Sequence, residues 1–244
     1  MTLHMPGGVL MSRLNVYDSV APDGQRGGTP HVHLLCTEMY TILAGSGAVD
    51  MLDMNGLSRV EVTAGDALVF SPGTLHRLIN PHGDLEILVI MSNSGLPERG
   101  DNVVCFTDEQ FATDAAYAEA MRVTSLHDAT VRRDRGVEGF CKLVAAFERS
   151  LDEGRADLTR FYAQAEARTR PQFGLWRKTI DNGAAAEVAQ TFAALHRLER
   201  GDTSYLADAS HALLRPSAVT PGFCGHLNRY FDPATLALEG SAAT

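Results

Sequence analysis

The sequence predicts an α+β protein with its two kinds of structure segregated along the chain. A β-dominated sandwich or barrel occupies residues 1–98, and a mostly α-helical region ending in an irregular tail occupies residues 99–244. Three observations carry that prediction. The hydrophobic period changes from two to about 3.6 near residue 100. Seven or eight short apolar runs separated by turn residues crowd into the first part of the chain, the pattern of an antiparallel sandwich or barrel. The 244 residues, 45% of them apolar, suffice for one sizeable core or two modest ones.

The elements follow in order. "MSRLNVYDSV" alternates, with Leu14 and Val16 on one face and Arg13, Asn15 and Tyr17 on the other, so it reads as a strand with one polar face. "HVH", His31 to His33, and the run from Glu38 through Tyr40 and Ile42 are two further strands around a short connection. Asn55-Gly56 between two alternating runs is a hairpin signal. "ALVF", "LHRLIN" and "LEILVIMS" complete the series, divided by turns such as Ser71-Pro72-Gly73 and Pro81-His82-Gly83-Asp84. "SGLPERGDN", Ser94 to Asn102, is a turn-rich joint. Beyond it Phe140, Leu143, Val144, Phe147 and Leu151 repeat at helical spacing, as do Val188, Phe192, Leu195 and Leu198. Further helices are expected at about 108–122, 155–168 and 172–180. The tail "RPSAVTPGFCGHLNRYFDPATL" keeps no period and is expected to lie irregularly over another element, with His226 in a glycine-bracketed stretch placed to fold over the barrel mouth.

Composition narrows the function. A net charge of −9 argues against a nucleic-acid partner, which needs a surplus of Lys and Arg. Lys142 and Lys178 are the only lysines, so residues 1–140 hold no lysine catalyst, and phosphate would depend on arginines such as Arg13 or Arg59. No apolar run approaches the roughly 20 residues that cross a bilayer. A soluble, cytoplasmic protein with no membrane partner is expected. Cys36, Cys105, Cys141 and Cys224 are scattered without a C-x-x-C pair and read as free thiols.

The chemistry lies in "GGTPHVHLLCTEMYTILAGSG", Gly27 to Gly47. Residues i and i+2 of a strand share a face, so His31 and His33 present two imidazoles together, and Glu38 shares a face with Tyr40 one strand later. A further strand brings His76. Three neutral imidazoles and a carboxylate suit iron, manganese, zinc, nickel, cobalt or copper, and an octahedral ion so held keeps two positions open. Cys36, between the ligand candidates, reads as a packing residue. Arg77 is expected to point away from His76's side of the strand. His196, His211 and His226 read as structural or exposed.

Taken together these motifs resemble the cupin superfamily. Its first motif, G-x5-H-x-H-x(3,4)-E-x6-G, is matched by His31, His33, Glu38 and Gly45, with Gln25 at the opening glycine. Its second, G-x5-P-x-G-x2-H-x3-N, is matched by Gly65, Gly73, His76 and Asn80, with Ser71 at the proline. The departures spare every ligand position. The resemblance covers roughly residues 8–92 and implies a jelly-roll barrel, a divalent transition metal on His31, His33, Glu38 and His76 with Fe2+ the first expectation, and a homodimer. It implies a small-molecule substrate and leaves the reaction open. An oxygenase-type oxidoreductase ranks first, a metal-dependent isomerase, epimerase or lyase of a sugar or keto acid second, and a non-catalytic small-molecule-binding module third. Tyr40 is the candidate catalytic donor, equally readable as a barrel-wall aromatic. Arg13, Asn15 and Tyr17 are candidates to line the pocket mouth and contact substrate.

Overall fold

A computed structural model describes residues 5–93 and 95–230; Ser94 and the tail from residue 231 lie outside the described residues. The β-strands are β1 (Leu10–Val16), β2 (His31–His33), β3 (Glu38–Ala44), β4 (Ser46–Asp53), β5 (Gly56–Thr63), β6 (Ala67–Phe70), β7 (Leu75–Ile79), β8 (Glu86–Met91), β9 (Asn102–Val104), β10 (Thr220–Pro221) and β11 (Gly225–Arg229). They form two antiparallel sheets, one of six strands in the order β10-β11-β1-β8-β3-β6 and one of five in the order β5-β4-β7-β2-β9. Their inner faces meet in an apolar cluster that includes Leu14, Ile42, Val49, Leu78 and Ile87.

The expected strands are present, and their bounds are set by turn chemistry. The β4–β5 hairpin closes at the Asp53–Gly56 pair, so its turn residues are Met54 and Asn55, one position ahead of the Asn55-Gly56 signal. The Asp53 carboxylate accepts the Asn55 backbone N–H at 2.6 Å, an Asx turn that fixes this register. At Gly45, where the first motif ends, φ is +74°. A Cβ there would lie 2.3 Å from the Asp84 carbonyl oxygen, so the β3–β4 corner admits only glycine. Asn80, which ends the second motif, donates to the Val16 carbonyl at 3.0 Å and accepts from the Leu85 N–H at 3.2 Å, tying the β7–β8 connection to the end of β1.

Both sheets recruit strands from beyond residue 98. β9 pairs with β2 along the edge of the five-stranded sheet. β11 pairs with β1 over Ser12–Arg229 to Val16–Gly225, and β10 adds to β11. The tail expected to be irregular thus carries a strand. A strand's pairing partner more than 200 residues away leaves no trace in the local pattern of "GHLNR", and pairing there is decided by the open edge of β1.

The helices are α1 (Asp108–Phe111), α2 (Asp114–Met121), α3 (Leu126–Arg149), α4 (Leu151–Thr169), α5 (Phe173–Asn182) and α6 (Ala184–Glu199). The single helix expected over 108–122 is divided, because the Thr113 hydroxyl accepts the Ala116 N–H and starts a new helix. The stripe that joined Leu151 to Phe140 through Phe147 is also divided. Ser150 is extended, ends α3, and caps the Glu153 N–H of α4. Helices α3 and α4 then cover the outer face of the five-stranded sheet. Phe140, Leu143, Leu158 and Phe161 meet Val32, Leu52, Leu75 and Val103 in a second apolar cluster. That cover explains why β2 and β7 are buried on both faces. Gly139 permits the close approach: a Cβ there would stand 2.0 Å from the Cys105 carbonyl oxygen.

Candidate metal centre

Two sheets bring the ligand candidates together. On β2, His31 and His33 point into the barrel while Val32 points out to the helices. His31 is in register with His76 of β7, whose inward side also carries Leu78. Glu38 arrives from the opposite sheet at the first residue of β3. All four side chains are buried, and one donor atom from each lies within 4.8 Å of the others. Glu38 Oε2 is 3.2 Å from His76 Nε2 and 3.4 Å from His33 Nε2. Donors about 2.1 Å from a common ion would lie about 3 Å apart when adjacent and about 4.2 Å apart when opposite, so these spacings fit one ion.

The surrounding hydrogen bonds aim the rings. His31 Nδ1 lies 2.9 Å from the Thr29 carbonyl and His76 Nδ1 lies 3.0 Å from the Thr74 carbonyl. A carbonyl accepts only from N–H, so in both rings Nδ1 carries the proton and Nε2 offers its lone pair. His33 Nδ1 faces Asp101 Oδ2 at 3.4 Å. Among the described residues, the buried Glu38 Oε2 and His76 Nε2 atoms have no hydrogen-bond partner. Leaving a buried carboxylate oxygen and an imidazole nitrogen unsatisfied is costly, and a cation between them removes that cost. The cluster therefore fits a divalent metal.

Electrostatics support the donor set. Burial, followed by repulsion from His76 and His33, pushes the His31 imidazolium pKa well down and keeps the ring neutral. Burial would also lower His33, but Glu38 and Asp101 outweigh it and raise that ring to about 9. Burial opposes ionisation of Glu38 as well, yet His33 and His76 hold its carboxyl well below the usual carboxylate range. An ionised carboxylate set among three imidazoles is a donor set suited to a divalent metal, whose binding is favoured as the rings lose their protons.

A cavity of about 400 Å³ opens from the cluster. Its walls are mostly apolar, with Leu10, Leu14, Val89 and Met91 from the six-stranded sheet, and with Phe223 and Cys224 from the segment between β10 and β11. Ser12 and Tyr40 contribute hydroxyls. Tyr40, 1% exposed, lies against the cluster, and burial followed by the Glu38 charge pushes its phenol well above its ordinary value. Glu98 and Arg229 meet 3.5 Å apart at the mouth.

The other sequence candidates are placed differently. Arg13 and Asn15 are exposed on the outer side of β1, and Arg13 is ion-paired with Glu86. The alternation of β1 was legible, but its side was not. The apolar face, with Leu10, Ser12 and Leu14, lines the cavity, and the polar face meets solvent. Tyr17 is buried outside the cavity, where its hydroxyl donates to the Gly222 carbonyl at 3.1 Å and its ring stands edge-on to His226. His226 therefore packs behind the wall and does not cover the mouth. Arg77 points away from the cluster and pairs with Asp23. Cys36 is buried apart from the four donors, its thiol pushed up by burial and by Asp101.

Sequence reasoning missed Asp101, Arg132 and the Phe223-Cys224 wall. Asp101 is fully buried and accepts the Leu34, Leu35 and Cys36 backbone N–H groups at 3.2, 2.8 and 3.2 Å, fixing the loop between His33 and Glu38. Its one signal was an acid within the turn-rich joint. Arg132 lies on α3, and nothing in the helical pattern distinguishes it from Arg133 and Arg135 beside it.

The family model "Cupin domain" matches residues 18–91. No curated protein matches the chain significantly. Among solved structures, a cupin protein from Bacteroides fragilis is 23% identical over 36% of this chain and 65% of its own, with a TM-score of 0.27. A TDP-fucose-3,4-ketoisomerase from Campylobacter jejuni is 14% identical over 39% of this chain and 64% of its own, with a TM-score of 0.31. Peruvianin-I, described as a cysteine peptidase from Thevetia peruviana latex, is 15% identical over 35% of this chain and 50% of its own, with a TM-score of 0.29. The chain spans less than two thirds of each of these proteins. Residues 18–91 are a cupin domain, and His31, His33, Glu38 and His76 fit the metal-binding motif of that family.

Proposed function

We propose that this protein is a metal-dependent enzyme acting on a small polar metabolite, with an oxygenase-type oxidoreductase as the leading reading and Fe2+ as its first-choice ion. The observation that carries it is the convergence of three imidazoles and one carboxylate at the floor of a mostly apolar cavity. A divalent transition metal there would supply a Lewis-acidic centre and, if redox-active, one-electron chemistry with dioxygen. His31, His33, Glu38 and His76 would hold the ion. The aliphatic wall excludes water from the reacting groups and admits an apolar gas. Tyr40 keeps its proton and donates a hydrogen bond toward substrate oxygen.

An isomerase or lyase is the second reading, supported by Glu98. Burial raises this carboxyl at the cavity mouth above its ordinary range, as a group that takes up and returns a proton requires. Zn2+, Mn2+, Co2+, Ni2+ or Cu2+ would serve the first step of such chemistry as a Lewis acid. Elemental analysis of protein purified without chelator tests both readings, and absence of a stoichiometric transition metal removes them in favour of a binding module. Dioxygen uptake by the ferrous-loaded protein with catechol, thiol and keto-acid substrates supports the oxygenase. Zinc as isolated, with no uptake after iron loading, supports the isomerase.

Assembly belongs to the same proposal. No residue of α6 is buried, and Val188, Phe192, Leu195 and Leu198 are exposed along it. Antiparallel pairing with α6 of a second copy would cover this apolar stripe. A homodimer through this face is the assembly proposed.

A further inference from the structure

Arg132 projects from α3, outside the cupin domain, into the wall of the same cavity. It is 6% exposed. One guanidinium nitrogen donates to the Gly222 carbonyl at 2.8 Å, and the group lies 4.1 Å from the centre of the Phe223 ring. That ring is 5.1 Å from the ring of His31, so a single aromatic side chain separates the cation from the metal-ligand cluster. Arg132 Nε has no hydrogen-bond partner, and among the described residues no carboxylate pairs with this guanidinium. The other buried arginines differ: Arg77 is paired with Asp23, and Arg133 with Asp134 and the Ser19 and Val20 carbonyls.

A buried, permanently charged guanidinium with a free donor and no counterion is costly to maintain. The cost is offset when an anion enters, because a desolvated Arg–carboxylate pair is among the stronger polar contacts available to a protein. Of the two carboxylates that line the cavity among the described residues, Glu38 is committed to His33 and His76 and Glu98 faces Arg229. Phe223 holds the guanidinium plane by cation–π contact and keeps it off the cluster. The geometry points to an anion subsite: we infer that Arg132 pairs with a carboxylate of the cavity's ligand while the ligand's other oxygens face the metal-ligand cluster. This rests on the reading of the cavity as a metal-dependent substrate site and narrows its substrate to a small carboxylate-bearing metabolite. The cavity, about 400 Å³, has room for one.

Calorimetric titration of the full-length protein, with metal content measured on each sample, tests this. The probes are succinate and malate, with succinamide and malamide as neutral counterparts. At least one acid is expected to bind about tenfold or more tightly than its amide. Arg132→Gln should bring the acid down to the level of the amide without changing metal content. Failure of both acids to bind the metal-loaded wild type, or equal affinity for acid and amide, overturns the inference.

The titration repeated after chelation separates the subsite from the metal reading. A preference for acid that survives chelation and vanishes in Arg132→Gln supports the subsite on its own, while the metal content measured before chelation decides the metal reading. A preference lost on chelation and untouched by Arg132→Gln overturns the subsite and leaves the metal reading standing. Should Arg132→Gln fail to fold through loss of its bond to Gly222, Arg132→Lys keeps a charge and a donor but not the planar fork. It should weaken acid binding and leave amide binding unchanged, and an unaltered ratio overturns the inference.

Discussion

Asp101 accepts three consecutive backbone N–H groups from Leu34 to Cys36 while facing His33 Nδ1, so one carboxylate shapes the loop between two ligands and orients one of them. Asp101→Asn replaces one acceptor oxygen by a donor that faces N–H groups. Metal affinity, measured by competition with a chromophoric chelator, should fall about 10–100-fold, as for other residues that orient a ligand. A second residue-scale prediction concerns Asp23, bonded to the buried Arg77 by both carboxylate oxygens. Burial opposes ionisation of Asp23, but the hydrogen bond and charge of Arg77 prevail and lower its pKa below the ordinary value. The folded state therefore binds fewer protons than the unfolded state, and the stabilisation is full above about pH 4 and fades as pH falls through the lowered value. Asp23→Asn should cost about 1 kcal/mol at neutral pH, because solvent reaches Asp23 and screens its pairing with Arg77. Urea midpoints taken down the acid range should show the gap from wild type closing, since protonation removes the same charge from the wild type.

At the scale of elements, α3 can lie on the five-stranded sheet only because Gly139 presents no side chain to the Cys105 carbonyl. Gly139→Ala improves helix propensity by about 1 kcal/mol. The clash outweighs that gain, because either the backbone of β9's following residue or the helix must shift. A net loss of about 1–3 kcal/mol is expected from thermal or urea unfolding; a stabilised variant would show that the helix sits farther from the sheet. Helix α6 poses the opposite case, a stripe legible at helical spacing that this chain does not bury. Phe192→Glu should convert a dimer to a monomer in sedimentation velocity while leaving metal content unchanged. Both helices were visible from periodicity, yet periodicity reports that a face is apolar and not what covers it. The same holds for β1, where alternation separated Leu14 from Arg13 but left open which side faced the cavity.

At the scale of the whole molecule, the helical region completes the barrel. Its cluster covers Val32, Leu52 and Leu75, β9 ends one sheet and the β10–β11 pair ends the other, and the segment around Phe223 walls the cavity. A chain ending near residue 98 would bare these apolar faces and lose Asp101, and it should aggregate or fail to hold metal on size exclusion with elemental analysis. What the sequence by itself determined is local: the period switch near residue 100, the turns of β4 through β8, and the four ligand candidates, because strand parity and fixed motif spacing place side chains without reference to distant residues. What only the tertiary structure decided is non-local: the β1–β11 pairing, the inward side of β1, Asp101 behind His33 and Arg132 across Phe223 from His31. These depend on which faces remain open once the sheets close, and no local pattern records that.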